Sequence, residues 1–399
     1  MNTIENNDKY IFNTYARIQK TFVKGKGSTL FDDKGNAYLD FVAGIAVCSL
    51  GHCHPAVTRA ICDQAKELIH VSNLYYTVPQ TELASMLVKK SFADKVFFTN
   101  SGAEANEAAI KLVKRYFQEK NEKQRFKIIT MKKSFHGRTM ATLSATGQEK
   151  IKNGFFPLVD GFIHVPFNDI NVLKQKIDSS ICAVMLEPIQ GEGGVIPAES
   201  DYLKKVRQLC DKNGIFLIFD EVQTGMGRCG RLFAHEIYNV KPDIMTLAKA
   251  LGNGLPLGAM LATYEASKGF ALGSHATTFG GSPVVTKAGI EVLKIISDIS
   301  FLEKCREKGE YFKKQLNLLK NKHSIIKQVR GQGLLIGMEM KQNVSNLVLK
   351  CMEKGFIINL IQDKIIRFAP ALIIKKQEID MLIKVLDDLL GDFELEQIQ

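Results

Sequence analysis

No run of apolar residues in the 399-residue chain approaches the roughly 18 to 20 needed to cross a bilayer. The opening, "MNTIENNDKYIFNTYARIQK", lacks the basic-then-apolar order of a secretory signal. Cytoplasmic residence is the expectation. Cysteine pairs spaced CxxC are missing too, and the eight cysteines (48, 53, 62, 182, 210, 229, 305, 351) are scattered, mostly through apolar segments. That pattern predicts buried thiols rather than a disulfide framework. "GHCHP" at 51–55 sets His52, Cys53 and His54 side by side, but ligands one residue apart rarely converge on one ion and no second cluster has zinc-like spacing. No metal is expected. The formal charge of +11 is spread in pairs such as Lys132-Lys133, Lys204-Lys205 and Lys375-Lys376, without a basic block or an aromatic platform. Nucleic acid is therefore not an expected partner, whereas anionic small molecules account for part of the excess.

What is present is an alternation. "KVFFTN" (95–100) reads as a strand, and "GAEANEAAIKLVKRYFQEK" as a helix whose Ala105, Ala109, Leu112 and Tyr116 recur at i, i+4, i+7 and i+11. "FKIITM", "CAVMLEP", "IFLIFD", "DIMTL" and "GAMLA" follow as apolar strands separated by longer stretches. Near-continuous apolar strands between helices predict an α/β protein, its mainly parallel sheet covered on both faces. After about residue 284 come two long helical stretches, paired strands in "KQVRGQGLLIGMEM", a helix near 344–354, strands at 356–360 and 364–368, and a closing helix. This predicts a large domain over 50–283 and a smaller α/β domain from 1–49 and 284–399, with a hairpin in "STLFDDKGNAYLDF".

Ligands of open parallel sheets bind at the carboxyl ends of the strands. Three ends stand out. "TNSGAEANE" begins a helix at Ser101, Gly102 and Ala103, where free N–H groups and the helix dipole favour a phosphate; a plain N-cap at Asn100 or Ser101 is the other reading. Asp220 ends "IFLIF", and a carboxylate there is costly to bury unless a cation such as a pyridinium meets it; otherwise it caps the next turn. Lys249 follows "DIMTL" and precedes Gly252, Gly254 and Gly258. Desolvated, it would form a Schiff base with an aldehyde; exposed, it would simply face water. A phosphate cradle, a buried acid and a lysine together point to pyridoxal 5′-phosphate.

The stretches "YLDFVAGIAVCSLGHCHP", "FFTNSGAEANEAAIK", "SFHGRTMATLSATGQ", "LEPIQGEGGV", "FDEVQTGMGRCGRLFA", "PDIMTLAKALGNGLPLGAML", "HATTFGGSP" and "VRGQGLLIG" resemble, in order from about residue 17 to 370, the subgroup-III (ω-amino-acid) aminotransferases of fold type I. The resemblance implies that Lys249 binds the cofactor covalently, that Asp220 meets its pyridine nitrogen, and that Gln223 meets its phenolic oxygen. Glu221 and Val222 fall in the same cofactor-contacting run. Ser101, Gly102 and Ala103 match the phosphate loop and Phe135 the ring that stacks on the cofactor. Thr278 matches a phosphate contact donated by the neighbouring subunit, which implies a homodimer with shared sites. Arg138 and Arg367 match carboxylate-binding arginines, and Glu192 the acid that pairs with the second of them when an ω-amine is bound.

The amine donor is a finer matter. Ile45 stands where family members acting on free ornithine carry a tyrosine, and Thr277 matches a substrate contact. Together they imply N2-acetyl-L-ornithine as donor and 2-oxoglutarate as acceptor, a step towards arginine, with N-succinyl-diaminopimelate a further candidate. Asn253, where many members have glycine, and Ser282, where asparagine is commoner, depart from the family pattern. The alternatives are a 4-aminobutyrate or other ω-amine transaminase and, from other classes, a basic binding protein or an NAD-dependent dehydrogenase. No GxGxxG follows an early strand with an acid about 20 residues on, as the last would require.

Overall fold

The computed structural model describes residues 3–396. Its centre is a seven-stranded sheet of β1 (Lys95–Thr99), β2 (Lys127–Met131), β3 (Phe162–Val165), β4 (Ile181–Leu186), β5 (Phe216–Asp220), β6 (Ile244–Leu247) and β7 (Gly258–Ala262), in the spatial order β1-β7-β6-β5-β4-β2-β3. β3, β2, β4, β5 and β6 pair in parallel, as the alternation of apolar runs and helices predicts. β7 runs antiparallel to both β6 and β1. Periodicity carries no direction, so this reversal was not legible. It matters, because the strand that begins where its neighbours end brings the loop after Lys249 to the same edge as their carboxyl ends.

Burial explains why these strands read as continuous apolar runs. In β5, Phe216 and Ile218 pack with Ala109, Leu112 and Val113 of the helix Gly102–Glu119, whereas Leu217 and Phe219 pack with Leu203, Val206 and Cys210 of the helix Tyr202–Asn213. The period-2 alternation of side chains thus feeds two cores, and both must be apolar. β3 is an edge strand and only half-buried, which is why "FIHV" gives no such run.

A hairpin of Thr29–Asp32 and Ala37–Asp40 forms where expected. Asp32 Oδ1 accepts the N–H groups of Lys34 and Asn36 and closes the turn. Leu39 and Asp40 then pair in parallel with Phe356 and Ile357, joining the N-terminal segment to the far end of the chain. The expected strand at 356–360 is two: Phe356–Ile357 belongs to that sheet, and Asn359–Ile361 pairs with Ile365–Phe368 in a second antiparallel sheet with Ile326–Gln332 and Leu335–Met340. All eight cysteines are free; five are buried, while Cys53 and Cys62 are exposed, against expectation, on the solvent side of the Pro55–Glu67 helix and its entry.

Arg228 locks these parts together. Fully buried, it donates from Nη1 to the carbonyls of Leu334 (3.1 Å) and Pro370 (2.6 Å) and from Nη2 to Ser49 Oγ (3.2 Å). Burial pulls its guanidinium down to about 10. Arg228→Ala leaves a void and two buried carbonyls without donors, so urea unfolding should show a loss of about 3 kcal/mol or more; an unchanged midpoint would contradict this role.

Candidate active site

The strand ends open on a cavity of about 470 Å³. At the end of β1, Ser101 takes extended backbone and its Oγ accepts the Glu104 N–H (3.2 Å), while Glu104 reaches back to the Asn100 N–H (2.8 Å). Ser101 is therefore an N-cap and a cavity residue at once, and the two readings of it are not rivals. The N–H groups of the first helical turn have no carbonyl within the helix to bind. Gly102 and Ala103 line the cavity there. A Cβ on Gly102 would lie 2.7 Å from Val222 Cγ1, so the helix start and the β5 loop touch without room for a side chain. This is a phosphate-sized cradle with the positive end of an 18-residue helix behind it.

Asp220 lies at the cavity floor, buried, and every neighbour that binds it is a neutral donor or a histidine. Its Oδ2 accepts Asn106 Nδ2 and pairs with His136 Nδ1, both at 2.8 Å, and its Oδ1 accepts the Val222 N–H at 3.1 Å. Thr246 Oγ1 donates to Asn106 Oδ1 (2.7 Å) and so fixes which end of that amide faces the acid. Parallel pairing of Asp220 with Thr246 puts these two side by side and leads β6 directly to Lys249. Lys249 is half-buried and takes φ +42°, a left-handed backbone that costs a non-glycine residue energy. Burial pulls its amine down to about 8, and the Arg367 charge adds to the fall, against the opposing pull of Glu192, Asp220 and Glu187.

The third wall is a charge network. Arg367, buried in the strand Ile365–Phe368, forms an ion pair through Nη1 with Glu192, and Nε and Nη2 donate to Asn359 Oδ1 at 3.1 and 2.8 Å. Gln223 sits between, its Oε1 3.3 Å from Arg367 Nη1 and its Nε2 3.4 Å from Glu192 Oε1. Burial works to raise the Glu192 carboxyl, but the charge and hydrogen bond of Arg367, with Lys249 beyond, hold it below its ordinary value. Glu187 goes the other way: burial, and then the charge of Asp220, push it well above the carboxylate range although the N–H groups of Phe135 and Gly191 bind it. The Arg138 guanidinium stands at the exposed mouth, 5.9 Å from the centroid of the Phe135 ring.

Ser101, Gly102, Ala103, Phe135, Arg138, Glu192, Asp220, Val222, Gln223 and Lys249 thus meet around one cavity, with Arg367 behind Glu192. Glu221 does not. Its carboxylate turns away to accept the N–H groups of Ala234 and His235, and burial lifts it to about 8. As a cofactor contact through its side chain it is corrected to a cap on the next loop. Ile45 (39% exposed) and Thr278 lie outside the cavity wall of the single chain, and Thr277 approaches only through its Oγ1, 3.3 Å from Asn100 Nδ2. His52 turns to Asp40 (2.8 Å), away from any grouping with Cys53 and His54. Asn106, His136, Glu187, Thr246 and Asn359 went unnoticed in the sequence. Glu187 carried the signal that pointed to Asp220, an acid at the end of an all-apolar strand; the others carry none without the fold.

The donor set suits pyridoxal 5′-phosphate. The cradle at Gly102 and Ala103 suits a phosphate, the buried Asp220 carboxylate at the cavity floor suits a pyridinium, and the lysine amine is poised for an aldehyde. Such a sheet and cavity suit a pyridoxal-phosphate-dependent enzyme. The class-III aminotransferase family profile matches residues 11–390. The acetylornithine aminotransferases of Caldanaerobacter subterraneus subsp. tengcongensis and Methanocaldococcus jannaschii are 52% and 49% identical to the chain, over 96% and 98% of it and 98% and 99% of their own lengths. Among solved structures, the N-acetylornithine aminotransferase of Stenotrophomonas maltophilia superposes with TM-score 0.86 at 34% identity (98% of this chain, 100% of that one), and the ornithine aminotransferase of Toxoplasma gondii with 0.95 at 30% identity (98% and 95%). The chain belongs to the class-III aminotransferases.

An amine that titrates near 8 is neutral in roughly a quarter of molecules at pH 7.5, against about one in a thousand for an ordinary lysine. Because only the neutral amine reacts, carbamylation of cofactor-free protein by cyanate should rise at Lys249 with a midpoint near pH 8. Peptide mass spectrometry reads this site by site, and a midpoint above 10 at Lys249 would refute the shift.

Proposed function

We propose that the chain moves the terminal amino group of N2-acetyl-L-ornithine to 2-oxoglutarate, giving N-acetyl-L-glutamate 5-semialdehyde and L-glutamate, a step of arginine biosynthesis. The observation that carries this is the closed Arg367–Glu192 pair beside Lys249. While the pair is closed, a donor presents its amine to the lysine without meeting a bare cation. When Glu192 swings away, Arg367 offers a planar fork to the carboxylate of 2-oxoglutarate, so one cavity serves two differently charged substrates. Arg138, exposed at the mouth, takes the other carboxylate. Ile45 in place of a tyrosine suits an acylated α-nitrogen, and the acetylornithine aminotransferases similar to this chain support that donor.

Pyridoxal 5′-phosphate, when bound, supplies an aldehyde that accepts the amino group and a protonated ring that stabilises negative charge on the adjoining carbon. Lys249 Nζ would hold the cofactor covalently, then take the proton from the donor's δ-carbon and deliver it to the cofactor's former aldehyde carbon, on the other side of the transferred nitrogen, acting as base and then acid. Asp220, held by Asn106 and His136, would keep the ring nitrogen protonated, Gln223 would bind the phenolic oxygen, and Phe135 would cover the ring. Ser101, Gly102 and Ala103 would hold the phosphate.

Thr278 is assigned to the phosphate of a second copy. It sits on the surface beside exposed Phe279, and Leu74, Tyr75, Tyr76 and Val78 are exposed as well. Apolar groups of this size facing water mark a protein contact, which favours a homodimer with shared sites. No helix among the described residues is long and apolar enough to cross a membrane.

Steady-state comparison of N2-acetyl-L-ornithine, L-ornithine, N-succinyl-diaminopimelate and 4-aminobutyrate tests the donor. Acetylornithine should exceed free ornithine and 4-aminobutyrate in kcat/KM by roughly tenfold or more; a preference for 4-aminobutyrate would replace the reading. Arg367→Lys keeps the charge but loses the fork, so KM for 2-oxoglutarate should rise by about tenfold to a hundredfold with the donor KM much less affected. Equal rises in both would contradict the alternating pair.

A further inference from the structure

The loop after Lys249 forms one wall of the cavity through Gly254, Leu255, Pro256 and Leu257. Asn253 sits in it with φ +45°, a left-handed backbone that asparagine tolerates better than most residues. Its amide makes two bonds to residues some two hundred positions earlier: Oδ1 accepts the Leu50 N–H at 2.8 Å, and Nδ2 donates to the Gly51 carbonyl at 3.2 Å. The stretch it grips is strained. Ala43, Ile45 and Ala46, none of them glycine, have φ of 49°, 62° and 63°. Val47 of this stretch lines the same cavity, and the Cys48 thiol lies 3.9 Å from where a Gly254 side chain would begin. Asp40 holds the start of the stretch through the N–H groups of Val42 and Ala43, and Arg228 holds Ser49. Only the Asn253 amide ties it to the lysine loop among these three anchors.

We propose that Asn253 is a positioning residue for the amine donor. By fixing the distance between the 43–51 stretch and the lysine loop, it sets how far the donor's non-reacting end lies from the Lys249 amine. The inference rests on the reading of this cavity as the site of an N-acylated ω-amine.

Asn253→Gly tests it, because glycine takes the left-handed backbone freely and only the two hydrogen bonds are lost. With holoenzyme, KM for N2-acetyl-L-ornithine should rise roughly five- to tenfold, while kcat, KM for 2-oxoglutarate and the cofactor absorbance stay within about twofold of the parent. Asn253→Asp keeps the acceptor for Leu50 but sets a carboxylate oxygen against the Gly51 carbonyl, so its donor KM should rise at least as much as that of Asn253→Gly. A donor KM unchanged within twofold, or equal rises for both substrates, would overturn the proposal and leave the amide a purely structural tie. If the parent enzyme ignores acetylornithine, the donor reading fails, and the same KM split read with 4-aminobutyrate decides the role of Asn253.

Discussion

A carboxylate taken out of water must find a cation or lose its charge, and Asp220 is the place in this fold where that constraint governs everything around it. Burying it at the end of β5 is tolerable because Asn106 and His136 bind one oxygen and the Val222 N–H binds the other. None of those partners carries the fixed positive charge that would satisfy it outright. A protonated ring nitrogen of pyridoxal 5′-phosphate would complete the arrangement, and in the proposed reading the burial of the acid then favours binding of the cofactor. Asn106 is in turn fixed by Thr246, and Thr246 lies on the strand that delivers Lys249.

The same reasoning orders the rest of the cavity. Three carboxyl groups, Glu187, Glu192 and Asp220, face it, and their environments push them apart: Glu187 upward by burial, Glu192 downward because Arg367 outweighs its burial. Lys249 falls towards neutrality in the midst of these charges because burial outweighs them. One side of the site thus holds an amine that gives up its proton more readily than an ordinary lysine, and the other a buried ion pair. The proposed transamination, which takes two unlike substrates in turn, would use that division.

Much of this was legible along the chain. β2, β4, β5 and β6 read as strands because both faces are buried, and Asp220 and Lys249 drew notice because a charged residue follows each apolar run. Glu187, which ends the apolar run of β4, obeys the same rule. Glu221 misled because residues past the strand end face opposite ways: Asp220 and Gln223 look into the cavity while Glu221 caps the loop at 234–235. The reversal of β7 and the division of 356–361 between two sheets depend on pairing, which no local pattern records. Ile45 and Thr278 lie outside the single chain's cavity wall, and their assignments came from resemblance alone. Asn253, a bare departure from a glycine in the sequence, acquires a physical role only when Leu50 and Gly51 are seen beside it.

Lys249 is proposed as the residue that holds the cofactor. Reduction of the pyridoxal-phosphate-loaded protein with borohydride, followed by digestion and mass spectrometry, tests it directly. The pyridoxyl label should be found on Lys249 and on no other lysine; a label on a different lysine, or none on the loaded protein, would contradict the account.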